Sequence, residues 1–262
     1  MSLRVERLTP GVMDRLVEDA PASTALPEGA AARLVERLDD LARGAGTLDA
    51  WTIEHAGRTG SDFVWTARRA RRRVGHGALA RVRGGRVANV ADGVADELDD
   101  LRARGATGQV HPRSLAAWVH GLDGVGTALV AAAATTWCAE IDDLAGGIGT
   151  PWRVATDAVV RSRPGGLVLR ARRDLVVPHE GRSVVVRIRS GHPGPSAGPG
   201  LRADLAVATL ARPDGRAPAR LIGAWPEAGI ALSVDGDEAA LRAGARDLLR
   251  AARRLGGARL AA

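Results

Sequence analysis

The sequence predicts an α/β fold: a small mixed β-sheet flanked by helices, with a helical N-terminal half. Three observations predict it. Apolar residues recur at helical spacing through much of residues 1–145, and from Pro151 the apolar period becomes two. A hairpin pattern at 174–191 then runs through a Gly/Pro loop into another helical stripe. The switch near residue 150 predicts two regions. Residues 1–150 form a helical region packed on the same core, and residues 151–262 form the α/β core.

The N-terminal half is read first. Val12, Met13, Leu16 and Val17 mark a short helix after Thr9-Pro10, an N-cap followed by proline. Ala31, Leu34, Val35, Leu38 and Leu41 form an amphipathic stripe. Leu48–Glu54 is a brief strand or irregular passage leading to a turn at Gly57–Gly60. Residues 63–84 carry the densest basic patch, Arg68, Arg69, Arg71, Arg72, Arg73, Arg81 and Arg83, with Thr66 as N-cap of the helix that holds most of them. Clustered arginines displace counterions from nucleic acid, which makes these seven the candidate phosphate contacts. The acidic stretch Asp92–Asp100 offers them an alternative partner inside the chain. Helices are expected at Ser114–Leu122 and Thr127–Leu144, the second buried, with Trp118 and Trp137 in the core.

The second half reads as strands. Trp152–Val160, Gly166–Val177 and Arg182–Ser190 make a three-stranded meander, followed by a helix at Leu201–Ala211. Ala219–Trp225 and Gly229–Val234 are further strands, and Asp235–Glu238 caps a final helix at Ala239–Leu255. Asp174–Val177 and Val184–Arg189 should be adjacent antiparallel strands.

Composition narrows the chemistry. The 262 residues, 45% of them hydrophobic, suffice for a sizeable core. No run nears about 18 uninterrupted apolar residues, and the N-terminus lacks an apolar leader, so neither a membrane span nor secretion is expected. One cysteine, Cys138, leaves no internal disulfide and fits a cytoplasmic location. All 37 basic residues are arginine. A mechanism that needs lysine, such as a P-loop ATPase, a kinase or a Schiff-base enzyme, is therefore excluded. The net charge of +7 is compatible with DNA or RNA, although the Ala/Arg/Gly/Val bias of a GC-rich coding sequence supplies part of it.

The order strand, strand, loop, helix carries the functional argument. LRARRDLVV ends on Asp174 and a strand, VVRIRSG follows, and LRADLAVATLA is the helix. This layout resembles the PD-(D/E)XK nucleases of the RecB-like branch, whose fold is the restriction-endonuclease-like core. The resemblance implies a metal-binding role at Asp174, the second acidic position at Arg187, the lysine position at Arg189, and the helix glutamine and tyrosine positions at Asp204 and Ala208. The upstream histidine position falls on Leu79, with His76 three residues early. A guanidinium at the acidic position opposes a divalent ion. The resemblance therefore implies a catalytically degenerate member that acts as a nucleic-acid-binding or protein-interaction module, with no metal and no cofactor. It also implies an Asp174–Arg187 ion pair where the metal would sit. Two alternatives stand beside it: an active Mg²⁺-dependent DNA nuclease with ligands relocated to Glu180 or Asp204, and a structural interaction protein without nucleic-acid contact.

Other constellations do not assemble. The histidines show no i,i+4 pair for zinc. GVGTAL at Gly124–Leu129 follows a helix, not a strand, so it is no dinucleotide fingerprint. Ser190 and His192 lie too close in sequence for a hydrolase dyad, and Trp225-Pro226 reads as edge packing rather than a base-stacking surface.

Overall fold

The computed structural model describes residues 3–9, 11–42, 46–50, 53, 64–162 and 166–260. It has the α/β class expected, with mixed sheets flanked by helices. The chain divides into two compact units, one formed by Met1–Thr59 with Gly147–Ala262 and the other by Gly60–Gly146. This departs from the expected division at 150. Residues 1–59 are not a helical layer beside the α/β core, because they supply strands to it.

The first unit holds a six-stranded and a three-stranded sheet. In chain order its described strands are β1 (Leu3–Arg7), β2 (Gly46–Asp49), β3 (Arg153–Val154), β4 (Ala158–Arg161), β5 (Leu167–Ala171), β6 (Leu175–His179), β7 (Arg182–Ile188), β8 (Arg220–Trp225) and β9 (Ile230–Asp235). The larger sheet runs β1-β9-β8-β7-β6-β3 and the smaller β2-β5-β4. The expected meander is thus split. Gly166–Val177 is two strands, β5 and β6, that belong to different sheets and break at 172–174. The hairpin register pairs Leu175 with Val186 and His179 with Arg182. Its turn takes φ of 45° at Glu180 and 74° at Gly181, the left-handed pair that suits a two-residue hairpin loop. Pro178 lies inside β6, opposite Ser183, and is exposed. Position 178 is one step from the hydrogen-bonded pair at the turn, so the missing N–H is on the side away from β7.

This unit also holds the α-helices α1 (Val12–Glu18) and α2 (Ala30–Ala42), then after the helical unit α7 (Ala197–Leu210) and α8 (Glu238–Leu260), with a 3₁₀ turn at Pro226–Ala228. β7 and β8 run parallel, as the intervening crossover through α7 allows. Leu201 and Leu205 of α7 pack on Val176, Val185, Leu221 and Trp225 of the large sheet. Ala203, Ala206 and Val207 pack on Leu48, Leu167 and Leu169 of the small one. A helix buried on two sides must be apolar nearly all round, which is why α7 shows no clean polar face. Gly244 lets α8 meet α7 at backbone contact, since a Cβ there would collide with the Arg202 carbonyl. The Arg202 Nε also donates to Asp247 across the same contact at 3.0 Å.

The second unit is helical: α3 (Ala67–Arg83), α4 (Val90–Ala106), α5 (Leu115–His120) and α6 (Gly124–Gly146). The Thr66 hydroxyl accepts from the Arg69 N–H at 3.3 Å, the expected cap. Asn89 caps α4 in the same way, at 2.9 Å from the Asp92 N–H. Trp137 is buried, with the His76 ring 4.9 Å away, and Gly75 makes room for its indole. Trp118 is only half-buried, 6.4 Å from the Trp65 ring. The expectation that α6 is buried through its first half is corrected: Val125 and Leu129 are 70% and 60% exposed, and burial gathers at Trp137, Cys138 and Ile141. By length and composition alone α6 could cross a membrane. The turn expected at Gly57–Gly60 and the proline at position 10 lie outside the described residues.

Candidate functional site

Asp174 sits one residue before β6 and is fully buried. Its N–H donates to the Val186 carbonyl at 2.9 Å, and its carboxylate accepts the Ile188 N–H at 2.6 Å. The hairpin register ends at Leu175–Val186, and the Asp174 N–H on the Val186 carbonyl puts Asp174 at the end of that ladder. Arg187 alternates with Val185, which packs under α7, so Arg187 lies on the side of the sheet that α7 covers.

Arg187 finds its carboxylate on that helix. Its Nη1 donates to Asp204 of α7 in a buried ion pair, with 6% and 1% of the two side chains exposed. The expectation named Asp174 for this role; Asp204, read from the sequence at the helix glutamine position, also reaches the guanidinium. The Asp174 carboxylate accepts the Ile188 amide, and α7 brings Asp204 over the strand. Gly223, opposite Arg187 on β8, adds no side chain between them.

The pair is incompletely satisfied. Asp204 Oδ1 is buried and has no hydrogen-bond partner. Burial pushes the Asp204 carboxyl up to about 6 from its ordinary 3.8, against the opposing pull of Arg187 and Arg189, and Asp49 adds to the rise. Desolvation outweighs the ion pair here, as it can for a fully buried charge. Arg189 is half-buried, its N–H donating to the Ala224 carbonyl at 2.8 Å and its guanidinium 5.1 Å from the Trp225 ring centre. Trp225 is buried beneath it, so the indole is a wall of the core, the packing role expected.

Asp204, Arg187 and Arg189 therefore gather on this face, with Asp174 at the end of the neighbouring strand. Mg²⁺ seeks carboxylate oxygens in an octahedral array, and these residues do not fit it: Arg187 already neutralises Asp204, and Asp174 is turned onto a backbone amide. Among the described residues there is no group of three His, Cys, Asp or Glu side chains that could hold a metal. Glu180, the other proposed replacement ligand, is in the exposed hairpin turn and bonds Arg182 at 3.0 Å. Leu79, at the histidine position, is a buried core residue of the helical unit.

Comparison with known proteins adds little. No family model matches the chain, and no curated protein matches it. A solved structure titled "Crystal structure of SSO0001" aligns over 82% of this chain and 84% of its own at 14% identity, with a TM-score of 0.28. So low a score carries no argument about fold or function.

The seven arginines of the helical unit divide. Arg71 is buried and pairs with Glu140 at 3.8 Å. Arg81 is held by Glu97 at 3.0 Å and by Asp100, the intrachain partners anticipated from the acidic stretch. Arg72 is half-buried, while Arg68, Arg69, Arg73 and Arg83 are exposed. At about 100° per residue, Arg68, Arg69, Arg72, Arg73 and Arg83 span an arc of about 140° that excludes Arg71 and Arg81. Sequence reasoning missed Glu140, because nothing in the spacing shows that α6 lies against α3. Cys138 is buried and its thiol is pushed up to about 12 by burial, with Asp142 adding to the effect, so it is no nucleophile at neutral pH.

Proposed function

We propose that this chain is a PD-(D/E)XK-like protein in which an internal ion pair stands where the metal would sit, and that it binds nucleic acid without cleaving it. The observation that carries the reading is the buried Arg187–Asp204 pair beside Asp174, on the hairpin and crossover helix that the resemblance singles out. A cation salt-bridged at the second acidic position leaves no charge deficit for a divalent ion to fill. Binding is the reading for the other unit, where the exposed arginines of α3 gather on one side of the helix. Phosphate backbones are the ligand that such an arc of guanidiniums suits.

Two measurements on the full chain test this reading. Incubation of single- and double-stranded DNA and RNA with Mg²⁺ or Mn²⁺ should give no cleavage above the metal-free control. Binding to the same probes should weaken steeply with salt, with a log–log slope of roughly −0.9 per phosphate contacted on duplex DNA. Replacing Arg69 and Arg73 by Ala should flatten that slope, while Arg81→Ala should leave it unchanged. Metal-dependent cleavage abolished by Asp174→Ala would overturn the non-cleaving half. No binding at low salt would overturn the nucleic-acid half and favour a protein partner.

A further inference from the structure

Independently of that reading, we infer that β1 is the edge through which two copies of this chain pair, strand to strand, into a continuous sheet. β1 ends the six-stranded sheet among the described strands and is bonded to β9 on one side. Edge strands of soluble proteins are normally short, interrupted by proline or covered. β1 has five residues without proline, and Val5 and Leu3 are 66% and 39% exposed. The far edge, β3, has two residues and offers no comparable template.

The phase of the ladder fixes which groups are outward. The Leu8 N–H donates to Gly229 O, in register with the pairing of Leu3 with Val234. Hydrogen-bonded pairs alternate along an antiparallel ladder, so Arg4 and Glu6 are bonded to β9. The N–H and C=O groups of Leu3, Val5 and Arg7 therefore point off the sheet.

The occupant follows from charge. An antiparallel second copy centred on Val5 sets Val5 opposite Val5, Leu3 opposite Arg7, and Arg4 opposite Glu6. Every outward backbone group then meets its counterpart, and the cation of each copy faces the anion of the other. Opposite charges across a strand pair stabilise it and like charges do the reverse, so L-R-V-E-R is complementary to itself when run backwards. Within the chain Arg4 is 3.7 Å from Asp235 and Glu6 is 2.8 Å from Arg15. These are exposed or half-exposed neighbours that a cross-strand partner extends into a network rather than displaces. A two-fold axis through Val5 makes the contact isologous and closed.

Sedimentation of the full chain over a range of concentrations should show a monomer–dimer equilibrium. Val5→Pro removes an outward N–H and no bond to β9, so it should weaken dimerisation at least tenfold while leaving the unfolding midpoint near that of the natural chain. Should that variant fail to fold, the charges decide. Arg4→Glu and Glu6→Arg should each weaken the dimer about tenfold, and the two together should restore it. Val5→Cys should cross-link under mild oxidation, because hydrogen-bonded cross-strand Cα atoms lie about 5.5 Å apart, within disulfide reach. The buried Cys138 will not compete. A Val125→Cys control, equally exposed but in the helical unit, should not cross-link. A monomer at every concentration, a dimer indifferent to Val5→Pro and to charge reversal, or cross-linking no better than the control would each overturn the inference.

Discussion

Two buried arginines on neighbouring strands are treated very differently. Arg220 of β8 is fully buried and well satisfied: Nε donates to Asp235 at 2.6 Å, Nη1 to the Leu16 carbonyl at 2.7 Å and Nη2 to the Asp19 carbonyl at 3.1 Å. The last carbonyls of a helix lack intrahelical donors, and this guanidinium supplies two of them at the end of α1. Arg187 of β7 shares its face with a carboxylate that keeps one oxygen bare and a raised pKa. The first arrangement fastens a helix to a sheet. The second holds charge in a dry place at a cost and adds little to stability.

The sharpest way to break the comparison is Arg220→Met. It should cost about 3–5 kcal/mol in urea unfolding, because the half-buried Asp235 loses its nearer cation and two helix-end carbonyls are stranded together. Adding Asp235→Leu should not restore the loss, since the carbonyls remain bare. Full recovery would mean that Arg220 matters only for its ion pair and that the two sites are alike.

Next comes pH. The folded-state pKa of Asp204 is raised, so the native state holds a proton that the unfolded chain has released between about 3.8 and about 6. The stability this lends is complete below the unfolded value and is lost as pH rises through about 6. At about 1.4 kcal/mol per pKa unit the loss is about 3 kcal/mol. It should appear as the difference between the stability–pH curves of the natural chain and of an Arg187→Met/Asp204→Leu variant. Parallel curves would show that Asp204 is not the titrating group.

The smallest effect is the most telling. At pH 7 that same double variant should be as stable as the natural chain to within about 1 kcal/mol, or more stable, because apolar residues of similar volume can replace a buried pair without loss. A loss of several kcal/mol would place Arg187–Asp204 in the same class as Arg220.

The strands and helices of the core were legible where a single period ran unbroken. The Leu175–Ile188 hairpin, β8, β9 and the start of α8 lie where alternation, turn residues and an aspartate cap put them, while α7 begins at Ala197, four residues inside the expected Gly/Pro loop. β1 was missed although Leu3-Arg4-Val5-Glu6-Arg7 alternates cleanly, because five residues beside a helical stripe are a weak signal. The split of Gly166–Val177 between two sheets was hidden for another reason: which sheet a strand joins is a long-range choice that leaves no local mark. At the site, the hairpin spacing brings Asp174 to the end of β7, where its carboxylate accepts the Ile188 amide. The pairing of Arg187 with Asp204 was out of reach. It depends on how α7 rolls between two sheets, and its buried polar residue looked like any helix aspartate.

The reach of Arg220 also sets an order of events. It clasps carbonyls 204 and 201 positions earlier in the chain. At about 5–20 residues per second, a ribosome takes on the order of 10–40 s to make that span. Through that interval α1 has neither its clasp nor the sheet it belongs to. The Gly60–Gly146 helices pack on one another within a single stretch of chain, so those partners are present once that stretch is made. During synthesis the inserted helical unit should therefore fold first, while the segment that precedes it waits, exposed to chaperones and proteases, for strands not yet translated.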